Sequence, residues 1–171
     1  MKTEFTASLD KWALGITLGV TAVFVLVLGG IVAGSGTGSA PYATALVAGV
    51  VMGGVLLFCY LFGPQRYRLT ANSLVIVRPI GNKHISLARL EEVRPLAPEE
   101  LRWSLRTFGN GGLFGFYGNF WNSKLGLMTW YATRRSNYVL VRTASASLVL
   151  TPDDPNGFLA ALAAVPVAAG S

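Results

Sequence analysis

This chain of 171 residues has one cysteine and one histidine, so it can assemble neither an intrachain disulfide, a Cys/His metal centre nor a histidine-dependent triad. The net charge of +6 favours anionic surfaces, but no arginine-rich helix or nucleic-acid module accompanies it, which argues against a nucleic-acid partner. Only 13% of residues are charged, and none of them falls between Trp12 and Gln65.

Residues 1–11 read as a short amphipathic lead-in at an interface, with Trp12 as its aromatic anchor. Two apolar runs follow, Trp12–Val32 and Ala43–Phe62, separated by the small polar stretch Ala33–Tyr42. At 1.5 Å per helical residue, roughly 20 residues cross a ~30 Å hydrocarbon core. The sequence therefore predicts transmembrane helices at about 12–32 and 43–62, within an N-terminal unit spanning 1–63. A signal peptide has a shorter apolar stretch and a basic leader, whereas Glu4 and Asp10 interrupt this one. Lys2 and Lys11 precede the first run, Arg66 and Arg68 follow the second, and the linker is uncharged. The positive-inside bias then places both termini in the cytoplasm. Gly15 with Gly19, and Gly49 with Gly53, stand four apart, a spacing that lets helices approach closely. Cys59 lies inside the second run without ligand-type neighbours and reads as a lipid-facing or packing residue.

From Pro64 the pattern changes to alternation, and the region 64–171 carries twelve Lys/Arg against six Asp/Glu. Seven short strands are predicted, at Tyr67–Thr70, Ser73–Arg78, His84–Leu87, Leu90–Leu96, Leu127–Arg134, Tyr138–Arg142 and Ser147–Leu150. Pro98–Phe108 and a glycine-rich loop over Gly109–Gly126 separate the fourth from the fifth. No interleaved helices suggest a parallel sheet. A helix closes the chain at about 152–165, with Thr151 as N-cap and Pro152 at its first position. Asp153 and Asp154 suit the positive end of its dipole, and Phe158, Leu159, Leu162 and Val165 share its buried face. Pro166 ends it, leaving a frayed tail. The fold class is thus an α+β membrane protein, a two-helix transmembrane hairpin followed by a seven-stranded β-barrel or sandwich capped by a C-terminal helix.

Tyr67-Arg-Leu-Thr70, the glycine and aromatic segment Gly109–Gly118, Tyr131-Ala-Thr-Arg134, and Leu150-Thr-Pro-Asp-Asp-Pro155 before Phe158 are moderately specific in order and spacing. In these motifs the region 66–165 resembles the bacterial pleckstrin-homology-like domains attached to transmembrane hairpins. The resemblance implies a PH-fold barrel on the cytoplasmic side of a bacterial inner membrane, in a multi-pass protein. Eukaryotic relatives bind phosphoinositides through a basic first strand–strand loop. Here that loop is the uncharged Ala71-Asn72, which departs from the pattern.

Nothing in the sequence assembles a catalytic or cofactor site, and no enzyme activity is expected. The glycine-rich segment lacks GxxxxGK[ST] and a true GxGxxG, so it does not read as a phosphate cradle. Its Phe114, Phe116, Phe120 and Trp121 either fold into the core or stay exposed for a membrane or partner. Glu91-Glu92 and Glu99-Glu100 read as solvated pairs, not as carboxylates set for acid–base work. A lipid or partner surface is expected from Arg102, Trp103, Arg106, Trp121, Lys124, Arg134 and Arg135. The leading expectation is a membrane adaptor that docks a protein partner or another copy of itself; the alternative is a module that binds anionic lipid headgroups.

Overall fold

The computed structural model describes residues 3–34 and 40–165. Both apolar runs are helices, α1 over Lys11–Ala33 and α2 over Ala40–Phe62. Asp10 begins α1, its Oδ1 accepting the Ala13 N–H at 2.7 Å and satisfying one of the orphan donors of the first turn. Both helices are long and apolar enough to cross a membrane. Their side chains are turned outward, with Leu26 73% and Val50 67% exposed, the reverse of a soluble core helix. Gly49 faces Leu28 of α1, whereas Gly15, Gly19, Gly53 and Gly54 look into open space. The close-packing expectation thus holds at one glycine. The linker between the helices lies mostly outside the described residues, as does the segment from Pro166 onward.

Among the described residues, ten strands flank the helices in sequence. They are β1 (Glu4–Thr6), β2 (Arg66–Leu69), β3 (Ser73–Val77), β4 (Lys83–Ser86), β5 (Leu90–Leu96), β6 (Leu105–Gly112), β7 (Gly115–Asn122), β8 (Gly126–Ala132), β9 (Tyr138–Thr143) and β10 (Ala146–Leu150). The first four form an antiparallel sheet in chain order; the other six form a second sheet ordered β5-β9-β10-β8-β7-β6. The sheets do not join into a closed barrel, so sandwich is the correct description. All seven expected strands are present, and β1, β6 and β7 are additional. One pair, β8 with β10, is parallel. It needs no crossover helix, because the 133–137 link steps past β10, which returns to fill the gap between β8 and β9.

Two apolar cores result. Phe5, Tyr67, Leu74, Ile76, Val139, Val141, Leu148 and Leu150 meet between the sheets, closed at one end by α3 (Pro155–Ala163) through Phe158 and Leu162. On the far face of the second sheet, Phe116, Phe120, Met128, Trp130, Tyr138, Leu140 and Val149 gather with Leu101 of a 3-10 turn (Pro98–Leu101) and Ala13 of α1. Strands β9 and β10 are therefore buried on both faces, which their unbroken apolar runs require. Tyr67 has its phenol buried between the sheets, donating to the Tyr131 carbonyl and accepting from the Thr151 N–H at 3.2 Å. Burial pushes its pKa up to about 12, so it stays a neutral donor.

Two expectations near the termini are corrected. The lead-in is not a free amphipathic segment: Glu4–Thr6 pairs antiparallel with β2, and Phe5 is buried with its ring 5.2 Å from that of Phe158. The C-terminal helix starts at Pro155 rather than Pro152, because Asp154 is the N-cap, its Oδ1 accepting the Gly157 N–H at 2.9 Å. Asp153 serves a different purpose. Its carboxylate accepts from Thr6 Oγ1 at 2.5 Å, Ser8 Oγ at 2.6 Å, Ser8 N–H at 3.1 Å and the Arg134 guanidinium. Burial pushes that carboxyl up, but the bonds from Ser8 and Thr6, with the Arg134 charge, outweigh it and hold it below the usual range.

The glycine-rich segment is the β6–β7 hairpin. Gly109 and Gly118 oppose each other in register with φ of 122° and 125°, and a Cβ on Gly118 would run into the Phe108 carbonyl. Two backbones approach here more closely than any side chain permits.

Asp153→Asn should lower stability at neutral pH by about 1–3 kcal/mol, since charge-assisted bonds are lost and Arg134 keeps its burial. The carboxylate's contribution is full above its unfolded pKa of about 4 and is lost as pH falls through the lower folded value. Thermal melts from pH 7 to pH 2 should therefore converge for the two proteins at the acid end. Gly118→Ala should cost roughly 1–3 kcal/mol in denaturant unfolding, while Asn119→Ala beside it should change little.

Candidate functional site

The surface with the greatest unexplained exposure is one face of β6, β7 and β8. Residues directly opposite in a sheet share a face, so the register defines three rows. They are Leu105–Trp121–Leu127, Phe108–Asn119–Thr129 and Asn110–Tyr117–Tyr131. The same face continues through Leu148 and Leu150 of β10 into the inter-sheet core. The first sheet covers only the β9–β10 end, and the hairpin projects beyond it. As a result Leu105 is 64%, Phe108 78% and Leu127 63% exposed, with Trp121 nearly half so. The aromatic segment thus divides between the two expectations. Phe116 and Phe120 enter the second core, Phe120 stacking on Trp130 at 4.3 Å, whereas Phe108 and Trp121 stay outside.

The free end of this hairpin is organised by buried Asn122. Its Nδ2 donates to the Glu100 carbonyl at 3.1 Å and to Ser104 Oγ at 3.0 Å, and its Oδ1 accepts the Lys124 N–H at 2.8 Å. That network joins the 122–125 turn to the 100–104 segment. Four of the expected residues, Arg102, Trp103, Trp121 and Lys124, are brought to this end. Trp103 is 81% exposed and sits at φ 68°, a conformation that costs a bulky residue energy. The Arg102 guanidinium lies 5.6 Å from its ring centre. Arg106 is also exposed but projects from the opposite face, in register with Phe120, lying back over Gly111.

Arg134 and Arg135 are elsewhere and already engaged. Arg134 pairs with Asp153 and donates to the Ser8 carbonyl at 3.2 Å. The Arg135 N–H donates to Asp10 Oδ2 at 2.8 Å, and its guanidinium lies over Trp12 and Phe116 at 5.7 and 5.1 Å. Both arginines hold the start of α1 against the domain. Glu92 and Glu100 are likewise engaged, bridged by Arg94 at 2.8 and 2.9 Å, with Arg142 also on Glu92. The first lies on β5 and the second in the 3-10 turn, so neither acid belongs to a free solvated pair.

The other end of the hairpin touches both long helices. The Phe114 N–H donates to Thr17 Oγ1 at 3.1 Å and Gly112 lies against Ile16, both on α1. On the α2 side, Tyr117 Oη donates to the Cys59 carbonyl at 2.8 Å, and the Phe114 and Tyr60 rings meet at 5.5 Å. Between α2 and the exposed face lies a cleft of about 520 Å³, lined by Phe58, Cys59, Phe62, Arg78, Phe108–Asn110, Tyr117–Asn119, Thr129 and Tyr131. Leu105, Leu127 and Arg78 escaped the sequence reading, because only the sheet register and the α2 contact bring them to this surface. Among the described residues, no group of three His, Cys, Asp or Glu side chains could hold a metal ion.

Comparison with curated proteins and with solved structures found no match. Residues 65–165 match the family model described as Bacterial PH domain, which begins one residue before β2 and runs just beyond α3. That match covers more than half of the chain, including every element of both sheets except β1, and the protein therefore belongs to the bacterial PH domain family.

Proposed function

We propose that this protein is a non-enzymatic interaction module anchored in a membrane by α1 and α2, with the exposed β6–β8 face seated at the lipid–water boundary. PH domains are non-catalytic interaction modules in general, and no constellation described above offers chemistry. The observation that carries the reading is the depth at which the hairpin meets the helices. Thr17 lies six residues into α1 and Cys59 three from the end of α2, about 9 and 4.5 Å along the axes at 1.5 Å per residue. Those contacts fall within the apolar segments, at the level where headgroups give way to acyl chains. Trp121, Phe108, Leu105 and Leu127 suit that layer, and Arg102 and Lys124 at its margin suit anionic headgroups. The cations flanking the helices favour a cytoplasmic placement of the domain, as in a bacterial inner membrane.

A second reading, docking of a protein or of another copy, is favoured by the outer edge of β6. That strand pairs only with β7 among the described residues and so offers a free row of backbone donors and acceptors.

The full-length protein in vesicles tests the first reading. In a Cys59→Ala background, Leu127→Cys and Ser86→Cys are each labelled with an environment-sensitive fluorophore, Ser86 being an exposed residue of β4 in the first sheet. Brominated lipids should quench the label at 127 at least twofold more than the label at 86. Equal quenching would overturn the proposal.

A further inference from the structure

We infer that the cleft between α2 and the β6–β8 face is a binding site for a single anionic phospholipid. In this site an acyl chain lies against Phe58, Phe62, Phe108 and Tyr131, and the phosphate meets Arg78. The inference deepens the membrane reading and rests on α2 crossing a bilayer. At about 520 Å³ the cleft falls within the size range of small-molecule sites. Its α2 wall includes Phe58, which is 59% exposed and belongs to the outward apolar surface of that helix. A chain lying along α2 would enter the cleft without leaving an apolar environment.

Charge identifies the headgroup. Among the described residues, Arg78 is the only Lys, Arg, Asp or Glu lining the cleft, so the cation there has no carboxylate competing for it within the lining. Arg78 is partly buried, and its guanidinium is held in place. Nε donates to the Gly81 carbonyl at 2.8 Å, Nη2 donates to the same oxygen, and Cζ lies 5.5 Å from the Phe62 ring centre. Nη1 donates to no protein group among the described residues and is left for an incoming oxygen. A planar cation beside an apolar slot, with no carboxylate in the lining to receive a headgroup ammonium, selects a tailed phosphate of net negative charge over a zwitterionic or neutral lipid. The site stands at the opposite end of β3 from the Ala71-Asn72 turn.

The test uses full-length protein purified in mild detergent, offered phosphatidylglycerol or phosphatidylcholine and analysed by native mass spectrometry. Wild type should retain one phosphatidylglycerol per chain, preferred at least tenfold over phosphatidylcholine. Arg78→Gln should bring that preference within twofold, whereas Arg66→Gln, an exposed cation outside the cleft, should leave it intact. Thr129→Trp, which fills the cleft, should abolish retention of either lipid. An unaltered preference in Arg78→Gln, unaltered occupancy in Thr129→Trp, or no retained lipid in wild type would each overturn the inference. Failure of the membrane reading would show separately, as full-length protein that does not incorporate into vesicles.

Discussion

Phe5 and Tyr67 stand opposite each other across the β1–β2 pair, and both rings pack around Phe158 of α3 at 5.2 and 5.9 Å. The whole helical pair lies between them in sequence. In effect α1 and α2 form the loop of an antiparallel β-hairpin whose two strands belong to the first sheet. Every other feature depends on that double attachment. It brings Ser8 and Thr6 to Asp153, places Asp10 where it can both cap α1 and accept from Arg135, and presents Thr17 to the tip of β6–β7. Without β1, the domain would lose the sheet pairing that leads into α1, leaving the contacts at Asp10, Ala13 and Thr17 to hold that helix.

The second sheet has a different economy. A PH-type sandwich needs one buried face per sheet, yet here β9 and β10 are buried on both, because the far face carries a core of its own. Phe116, Phe120, Met128 and Trp130 supply that core from β7 and β8. The hairpin that contributes two of these rings sends alternate side chains the other way, where α2 covers Tyr117 but nothing among the described residues covers Leu105 and Trp121. Exposure of Leu105, Trp121 and Leu127 is thus a geometric consequence of using β7 to build the far core.

Much of this was legible in the sequence, and the failures have physical reasons. Strands such as Ser73–Val77 and Tyr138–Thr143 announce themselves through local β-branched patterning, and the two helices through length without charge. The hairpin was hidden because Gly109, Gly111, Gly112, Gly115 and Gly118 dilute the alternation that marks a strand. β1 was hidden because three residues carry no periodicity, and its partner lies beyond both helices. The closing helix begins later than its sequence suggests because Thr151 and Asp154 are both competent caps, and Thr151 is instead occupied with the Thr133 N–H at 2.8 Å. For the candidate surface, Arg102, Trp103, Trp121 and Lys124 were visible as an unusual local mixture. Arg134 and Arg135 looked free because Asp153, Asp10 and Trp12 are distant in sequence, and no single-sequence pattern couples them.

The short connections on either side of the helical pair have a mechanical meaning. On entry, the Ala7 N–H donates to the Gln65 carbonyl at 3.0 Å and the Asp10 N–H to the Thr133 carbonyl at 3.2 Å. On exit, the Gln65 N–H donates to the Val77 carbonyl at 2.9 Å, and the Ile80 N–H reaches the last turn of α2 through the Leu61 carbonyl at 3.2 Å. Each connection is therefore ladder or clamp rather than swivel. Torque applied to the helices is delivered to the sandwich as rotation of one solid lever, and a load on the hairpin face is returned to the helices in the same way.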